Sequence, residues 1–195
     1  MRFFGSDDRN GLQIALEGAI SFFANSAKKY VEIIHRPDTV VLRNDGEGLC
    51  LETYKEIFNG PVEFFETDDG VIVIKQKDEN LNFIVRCSSL FVFSSSNSEN
   101  QVDKITFLNG VALPNEVISI YSDTPLEPFN QAEIIFDSRL WLEGLDKIDS
   151  SFFHQFLSHL SEYDRIHFIY AKEFNGVREE YTYYKSKLLR KIKTI

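Results

Sequence analysis

Val40-Val41-Leu42-Arg43-Asn44-Asp45-Gly46-Glu47-Gly48-Leu49 reads as a β-strand that runs straight into an amide, an acid and two glycines one residue apart. An Asn or Asp side chain at a strand end can hydrogen-bond the amino edge of a purine, and glycines beside it let the backbone approach the base. Asn-Asp-Gly is also ordinary turn chemistry. The flanking sequence has to decide between the two.

Upstream, Gly5-Ser6-Asp7-Asp8-Arg9-Asn10-Gly11-Leu12 opens a helical pattern with apolar residues at Leu12, Leu16, Ala19, Ile20, Phe23 and Ala27. Strands follow at Tyr30–His35 and Thr39–Arg43. Loop, long helix, hairpin and N-D-G-E-G in this order resemble the ATP-binding domain of the type II topoisomerase B subunit, DNA gyrase B and its relatives, within the GHKL superfamily. Phe3-Phe4-Gly5-Ser6-Asp7-Asp8 with Gly11-Leu12 is similar to the family's stretch before its first pocket helix. Leu90–Phe93, Ile105–Leu108, Asn109-Gly110 and Glu116–Tyr121 resemble its run of antiparallel strands, and Ala132–Asp137 its pocket-floor strand. Phe152–Leu160 and Arg165–Ala171 are similar to its last helix and strand. The resemblance implies an α+β two-layer sandwich: a curved, mostly antiparallel mixed sheet with helices on one face.

Several departures bear on what such a domain can do. The family carries E-x-x-x-N on its first pocket helix, a general base and a magnesium ligand on one helical face. Registered on Gly11-Leu12, these positions hold Gly18 and Phe22 here. A shift of one residue offers Glu17 and Ser21 instead, leaving Glu17 either as a base or as a solvated helix-face residue. The acid of the family's D-x-G-x-G is Asn44, followed by Gly46 and Gly48, and the family threonine on the pocket floor aligns with Ala132. Where the family has a glycine-rich phosphate lid, Gly60–Val71 holds two glycines and four carboxylates and reads as a hairpin around Asp68-Asp69-Gly70 that continues into Val71–Lys75. Lys172, Lys185 and Lys187 are either replacement phosphate ligands or solvated surface residues.

Composition bounds the rest. A chain of 195 residues accommodates one compact domain, or one and a small appendage, with no room expected for the family's second module and its phosphate-sensing lysine; the family's N-terminal arm is expected to be missing because the resemblance begins at about Phe3. No apolar run approaches the ~18 residues of a membrane span. Cys50 and Cys87 lack metal-type spacing and predict reduced thiols, hence a cytoplasmic protein. The four histidines, His35, His154, His159 and His167, form no H-x-x-x-H pair. Net charge is −9, and residues 185–193 hold five bases and no acid, which leaves the preceding body at −14. So acidic a body disfavours contact with nucleic-acid phosphates. The division expected is residues 1–184 as one domain and 185–195 as a basic tail. In that tail Leu188, Leu189 and Ile192 stand at helical spacing; it grips an acidic partner or its own body, or is simply a solvated final helix.

Helices are expected at about 11–28, 51–59 and 150–161, with about nine strands. Ser94–Asn100 reads as a polar loop, and Asn109-Gly110 and Asn175-Gly176 as hairpin turns. The abundance of phenylalanine, 18 residues, predicts that pairs such as Phe22-Phe23, Phe64-Phe65 and Phe152-Phe153 fill the family's pocket. The resemblance and its departures together imply a pseudo-ATPase: a non-catalytic, protein-interaction or regulatory module without cofactor or metal, whose partner is a protein, with a topoisomerase subunit as the candidate. The alternative is an ATP-binding protein or weak ATPase, with ATP and magnesium, that keeps adenine binding through Asn44, Gly46 and Gly48 and has Glu17 as its candidate base.

Overall fold

The computed structural model describes residues 8–47, 63–66, 72–75, 84–85, 88–96, 100–114, 116–119, 126–136 and 148–194. Its first element, α1 (Asp8–Ser26), buries Leu12, Leu16, Ala19, Ile20 and Phe23, the stripe that a 3.6-residue period places on one face. β1 (Tyr30–His35) and β2 (Thr39–Asn44) follow as an antiparallel pair. β1 alternates strictly, with Val31, Ile33 and His35 turned toward the helices.

β3 (Glu63–Glu66) and β4 (Ile72–Lys75) pair antiparallel as a separate two-stranded sheet, the hairpin expected from the Asp-Asp-Gly signal. β5 (Ser88–Ser96), β6 (Gln101–Leu108), β7 (Val111–Ala112), β8 (Glu116–Ser119) and β9 (Phe129–Phe136) continue the main sheet. After α2 (Ser150–Leu157) the chain closes with β10 (His167–Phe174), β11 (Val177–Tyr184) and β12 (Lys187–Thr194). The ten-stranded sheet runs β12-β11-β10-β1-β2-β9-β5-β6-β7, with β8 also paired to β6. Among the described residues only β1 and β10 pair parallel; the other strand pairs are antiparallel. The fold is thus α+β, with α1 and α2 sharing one core against one face of the sheet.

Local chemistry explains the turns. Asn109-Gly110 and Asn175-Gly176 take positive φ at both positions (50° and 77°, 52° and 77°), as a two-residue hairpin that matches strand twist requires. Asp149 caps α2, accepting from Ser151 N at 2.8 Å and Phe152 N at 3.1 Å; the bond from the Ser151 hydroxyl above all, and then these backbone bonds, hold its carboxyl below the usual range. On the outer face, Arg178 reaches Glu32 on β1 at 3.0 Å, Glu180 at 3.2 Å and Glu173 on β10, while Arg36 holds Glu173 at 2.8 Å. One guanidinium thereby ties together three adjacent strands.

Three expectations are corrected. The serine tract is strand rather than loop as far as Ser96, with Ser95 and Ser96 buried, because it lies between β9 and β6. The basic segment is strand rather than helix: Lys185 and Ser186 take φ of 49° and 60° and reverse the chain, so that β12 lies along β11. Twelve strands stand among the described residues instead of nine. The expected helix at 51–59, Cys50, Cys87 and Gly48 lie outside the described residues. Among those described, no helix is long and apolar enough to cross a membrane.

Candidate functional site

β2 delivers Asn44 to the end of the sheet beneath the last turn of α1, and the side chain is fully buried. Its Nδ2 donates to Phe23 O at 2.6 Å and to Ser26 Oγ at 2.7 Å. Its Oδ1 accepts from Gly46 N at 3.1 Å and from Asn130 Nδ2 at 3.1 Å. The orientation of the amide follows from its neighbours, since a carbonyl can only accept and a backbone N–H can only donate. A side-chain amide offers two donors and two acceptor lone pairs. All four are engaged within the chain.

Asn130 was not among the residues that the sequence singled out. It stands in register between Asn44 on β2 and Ser95 on β5, and the three form a buried polar row across the ends of three neighbouring strands. Ser95 Oγ donates to Asn130 Oδ1 at 2.8 Å, and Asn130 Nδ2 donates also to Glu47 O at 3.0 Å. Two residues further along β9 on the same face comes Ala132, the position aligned with the family threonine, packed between Leu42 and Phe93 in an apolar row. Polar capacity on β9 therefore sits at Asn130, where it serves Asn44 and Ser95. No local signal marks Asn130; only the strand pairing does.

The rest of the motif also turns toward α1. Asp45 Oδ1 accepts from the amides of Lys28, Lys29 and Tyr30 at 3.0, 2.9 and 3.2 Å, which fixes the turn between α1 and β1. Gly46 is buried, and a Cβ there would stand 2.1 Å from Ser26 O. Its lack of a side chain is accounted for by the helix end pressing on it. Asn44 and Gly46 thus both abut the backbone of the last turn of α1, Asn44 at Phe23 O and Gly46 at Ser26 O.

Glu17 lies elsewhere. At ~100° per residue, Ser26 is about 180° around α1 from Glu17, so the carboxylate and the Asn44 junction stand on opposite flanks. Glu17 lines a cleft of about 610 Å³ between α1 and α2, with Gln13, Ser151, Phe152, Gln155, Phe156 and His159. Partial burial there raises its carboxyl above the usual range. The structure thus brings Asn44 and Gly46 together and leaves Glu17 apart from them. Gly18 and Phe22 are on the flank nearer Ser26, and Phe22 packs against the core.

Of the phenylalanine pairs, Phe23 is buried against Phe93 with ring centroids 5.9 Å apart, near Asn44. Phe152 and Phe153 stand on the buried side of α2, in a second cluster whose histidine and tyrosine members sequence reasoning missed. There His35, from β1, shares a hydrogen bond with Tyr170 Oη on β10 at 3.1 Å, and Phe153 stacks on Tyr170 with centroids 4.9 Å apart. His154, on α2, bonds Tyr183 Oη and meets Tyr181 edge-on. Burial, then the nearby Lys172 charge, pushes the His35 imidazole down to about 4, against a smaller opposing pull from Asp149. Burial pushes the Tyr170 phenol up to about 12. Among the described residues, no group of His, Cys, Asp and Glu could hold a metal ion.

No protein-family model matches the chain, and no curated protein sequence does. Solved structures do match. The chain is similar to the topoisomerase IV ATP-binding domain of Francisella tularensis, at 12% identity and a TM-score of 0.61, over 91% of this chain and 86% of that one. It is similar to the ATPase region of Saccharomyces cerevisiae topoisomerase II, at 15% identity and a TM-score of 0.58, over 92% of this chain and 48% of that one. The N-terminal domain of a DNA repair protein gives 14% identity and a TM-score of 0.57, over 92% and 51%. The chain spans about half the length of the last two structures. Strand order, helix placement and these likenesses converge on one architecture: the chain has the fold of the GHKL ATP-binding domains of topoisomerase II and gyrase B.

Proposed function

We propose that this chain uses the GHKL fold as a non-catalytic, protein-interaction or regulatory module, with the nucleotide-reading end of the sheet converted to internal structure. The observation that carries this reading is the amide of Asn44, whose two donors and two acceptors are all engaged by Phe23 O, Ser26 Oγ, Gly46 N and Asn130 Nδ2. An adenine amino group would have to displace one of these bonds in a buried place, where an unpaired polar group costs about 1–3 kcal/mol. Two further features support it. Registered on Gly11-Leu12, the positions of the family's base and metal ligand hold Gly18 and Phe22, and neither side chain has that chemistry to offer. Glu17, the remaining acid, faces the cleft against α2 on the far flank of the helix. Phosphoryl transfer needs positioning and charge stabilisation in one place. The partner of such a module is another protein, with a topoisomerase subunit as the candidate.

A calorimetric and thermal-shift titration with ATP and magnesium tests the reading. A protein that binds nucleotide is stabilised by mass action, by about 2.7 kcal/mol at a hundredfold excess over Kd. The expected result is an unchanged melting temperature at millimolar ATP. A rise that Asn44→Ala abolishes would establish the opposite case, an ATP-binding protein.

A further inference from the structure

β12 closes one end of the main sheet, and its outer edge pairs with no strand among the described residues. Every side chain from Lys187 to Thr194 is exposed, apart from the half-buried Ile192. Such an edge presents a row of backbone donors and acceptors to any extended chain that comes alongside. Its side chains select which chain can do so. Lys191 rests over the Tyr181 ring at 5.0 Å and Lys193 pairs with Glu179 at 3.1 Å, whereas Lys187 and Arg190 have no ion pair among the described residues. The register places Leu188, Lys191 and Lys193 on the face of Tyr183, Tyr181 and Glu179, and Lys187 and Arg190 on the other, with a bulge at Leu189 between them. Cations therefore flank the edge on both faces. Leu188 and Leu189, 51% and 58% exposed, add apolar contact at its centre.

We propose that β12 is a docking edge for an acidic, extended segment of another protein, which adds to the sheet as a further strand. The proposal rests on the interaction-module reading and names its surface. Charge decides among the occupants. Two copies of β12 laid edge to edge would set lysines and arginines against one another, so the edge excludes its own copy. A nucleic acid or an anionic lipid surface would meet, beyond this one strand, a body of net charge −14. A narrow acidic strand laid along β12 meets first its four bases, Lys187, Arg190, Lys191 and Lys193. Main-chain pairing holds it, and the flanking cations choose it.

The test uses the full chain and three fluorescein-labelled octapeptides: alternating Glu-Val, alternating Lys-Val, and a Glu-Val peptide with prolines at two central valines. The Glu-Val peptide is expected to bind and to protect amides of residues 187–194 from hydrogen exchange. The proline peptide keeps the charge and loses the pairing, and is expected to bind about tenfold more weakly or worse. The Lys-Val peptide should not bind. Lys187→Glu with Arg190→Glu, both exposed and outside the core, should weaken the Glu-Val complex by about tenfold or more at an unchanged melting temperature. Equal binding of the proline peptide, protection elsewhere in the chain, or binding to phosphatidylserine vesicles but to no peptide would each overturn the proposal. No peptide binding in a protein that also ignores ATP retires the edge and leaves the non-catalytic reading standing. Peptide binding in a protein that takes up ATP does the reverse.

Discussion

Replacing Asn44 by aspartate, the acid of the family's motif, sets a carboxylate oxygen where Nδ2 now donates to Phe23 O at 2.6 Å. Two acceptors then face each other in a buried place, and the expected loss is about 2–4 kcal/mol. Its pH dependence is distinctive. Only the protonated carboxyl can donate to Phe23 O, so the folded state raises the pKa of the introduced acid above its unfolded value. Stability is then fully present below the unfolded value and lost as pH rises through the folded one. Urea unfolding at pH 5 and pH 8 should show the larger deficit at pH 8; equal deficits would mean that the amide is not held as described. Gly46→Ala is a second residue-scale test. Its methyl would stand 2.1 Å from Ser26 O, a backbone atom that cannot swing away, and a loss of about 2 kcal/mol or more is expected in the same assay.

At the scale of the element, α2 is held to the sheet by an aromatic and histidine cluster. His35 and Phe153 stand with ring centroids 5.2 Å apart, and His154 meets Tyr170 edge-on at 5.2 Å. His35 is only 4% exposed, and burial is the main reason that its imidazole ionises near 4 instead of 6.5. A group whose folded pKa is depressed leaves stability intact above the unfolded value and removes it as pH falls toward the folded one. The window is therefore pH 6.5 down to about 4. Between pH 7 and pH 5 the loss attributable to His35 is about 2 kcal/mol. His35→Phe should flatten this part of the profile, as read by urea unfolding across that range. An unaltered profile would place the titration elsewhere. The Arg178 clamp on the outer face is a weaker device: its side chain is 34% exposed, and Arg178→Ala should cost about 1 kcal/mol, again measured by urea unfolding.

For the whole molecule, the parallel β1–β10 pair joins the N-terminal hairpin to the C-terminal strands, and the sheet then extends outward to β12. Ending the chain after Ser186 would uncover the β11 edge and remove Lys191 from the Tyr181 ring. The shortened protein should melt several degrees lower, since about 1 kcal/mol corresponds to roughly 2–4 °C at this size. It should also self-associate, because an uncovered edge strand templates pairing. Light scattering checks the second outcome. A monodisperse shortened protein with the parent melting temperature would show that β12 contributes neither stability nor protection.

The sequence alone determined what depends on nearest neighbours along the chain. β1 was legible at Tyr30–His35 from alternation, the Asn-Gly turns from their tolerance of positive φ, α1 from its apolar stripe, and the GHKL-like order from the succession of these pieces. Only the tertiary structure decided what depends on pairing between distant segments. Asn44 and Asn130 are 86 residues apart and meet because β2 and β9 are neighbours in the sheet. Ser95 reads as loop by composition and is core by position. In residues 187–194 the short apolar pattern suits a helix as well as a strand, and the turn at Lys185-Ser186 together with the open edge of β11 selected the strand. A local signal can state that an amide stands at the end of a strand. Which groups consume its hydrogen bonds is settled only when the sheet has formed.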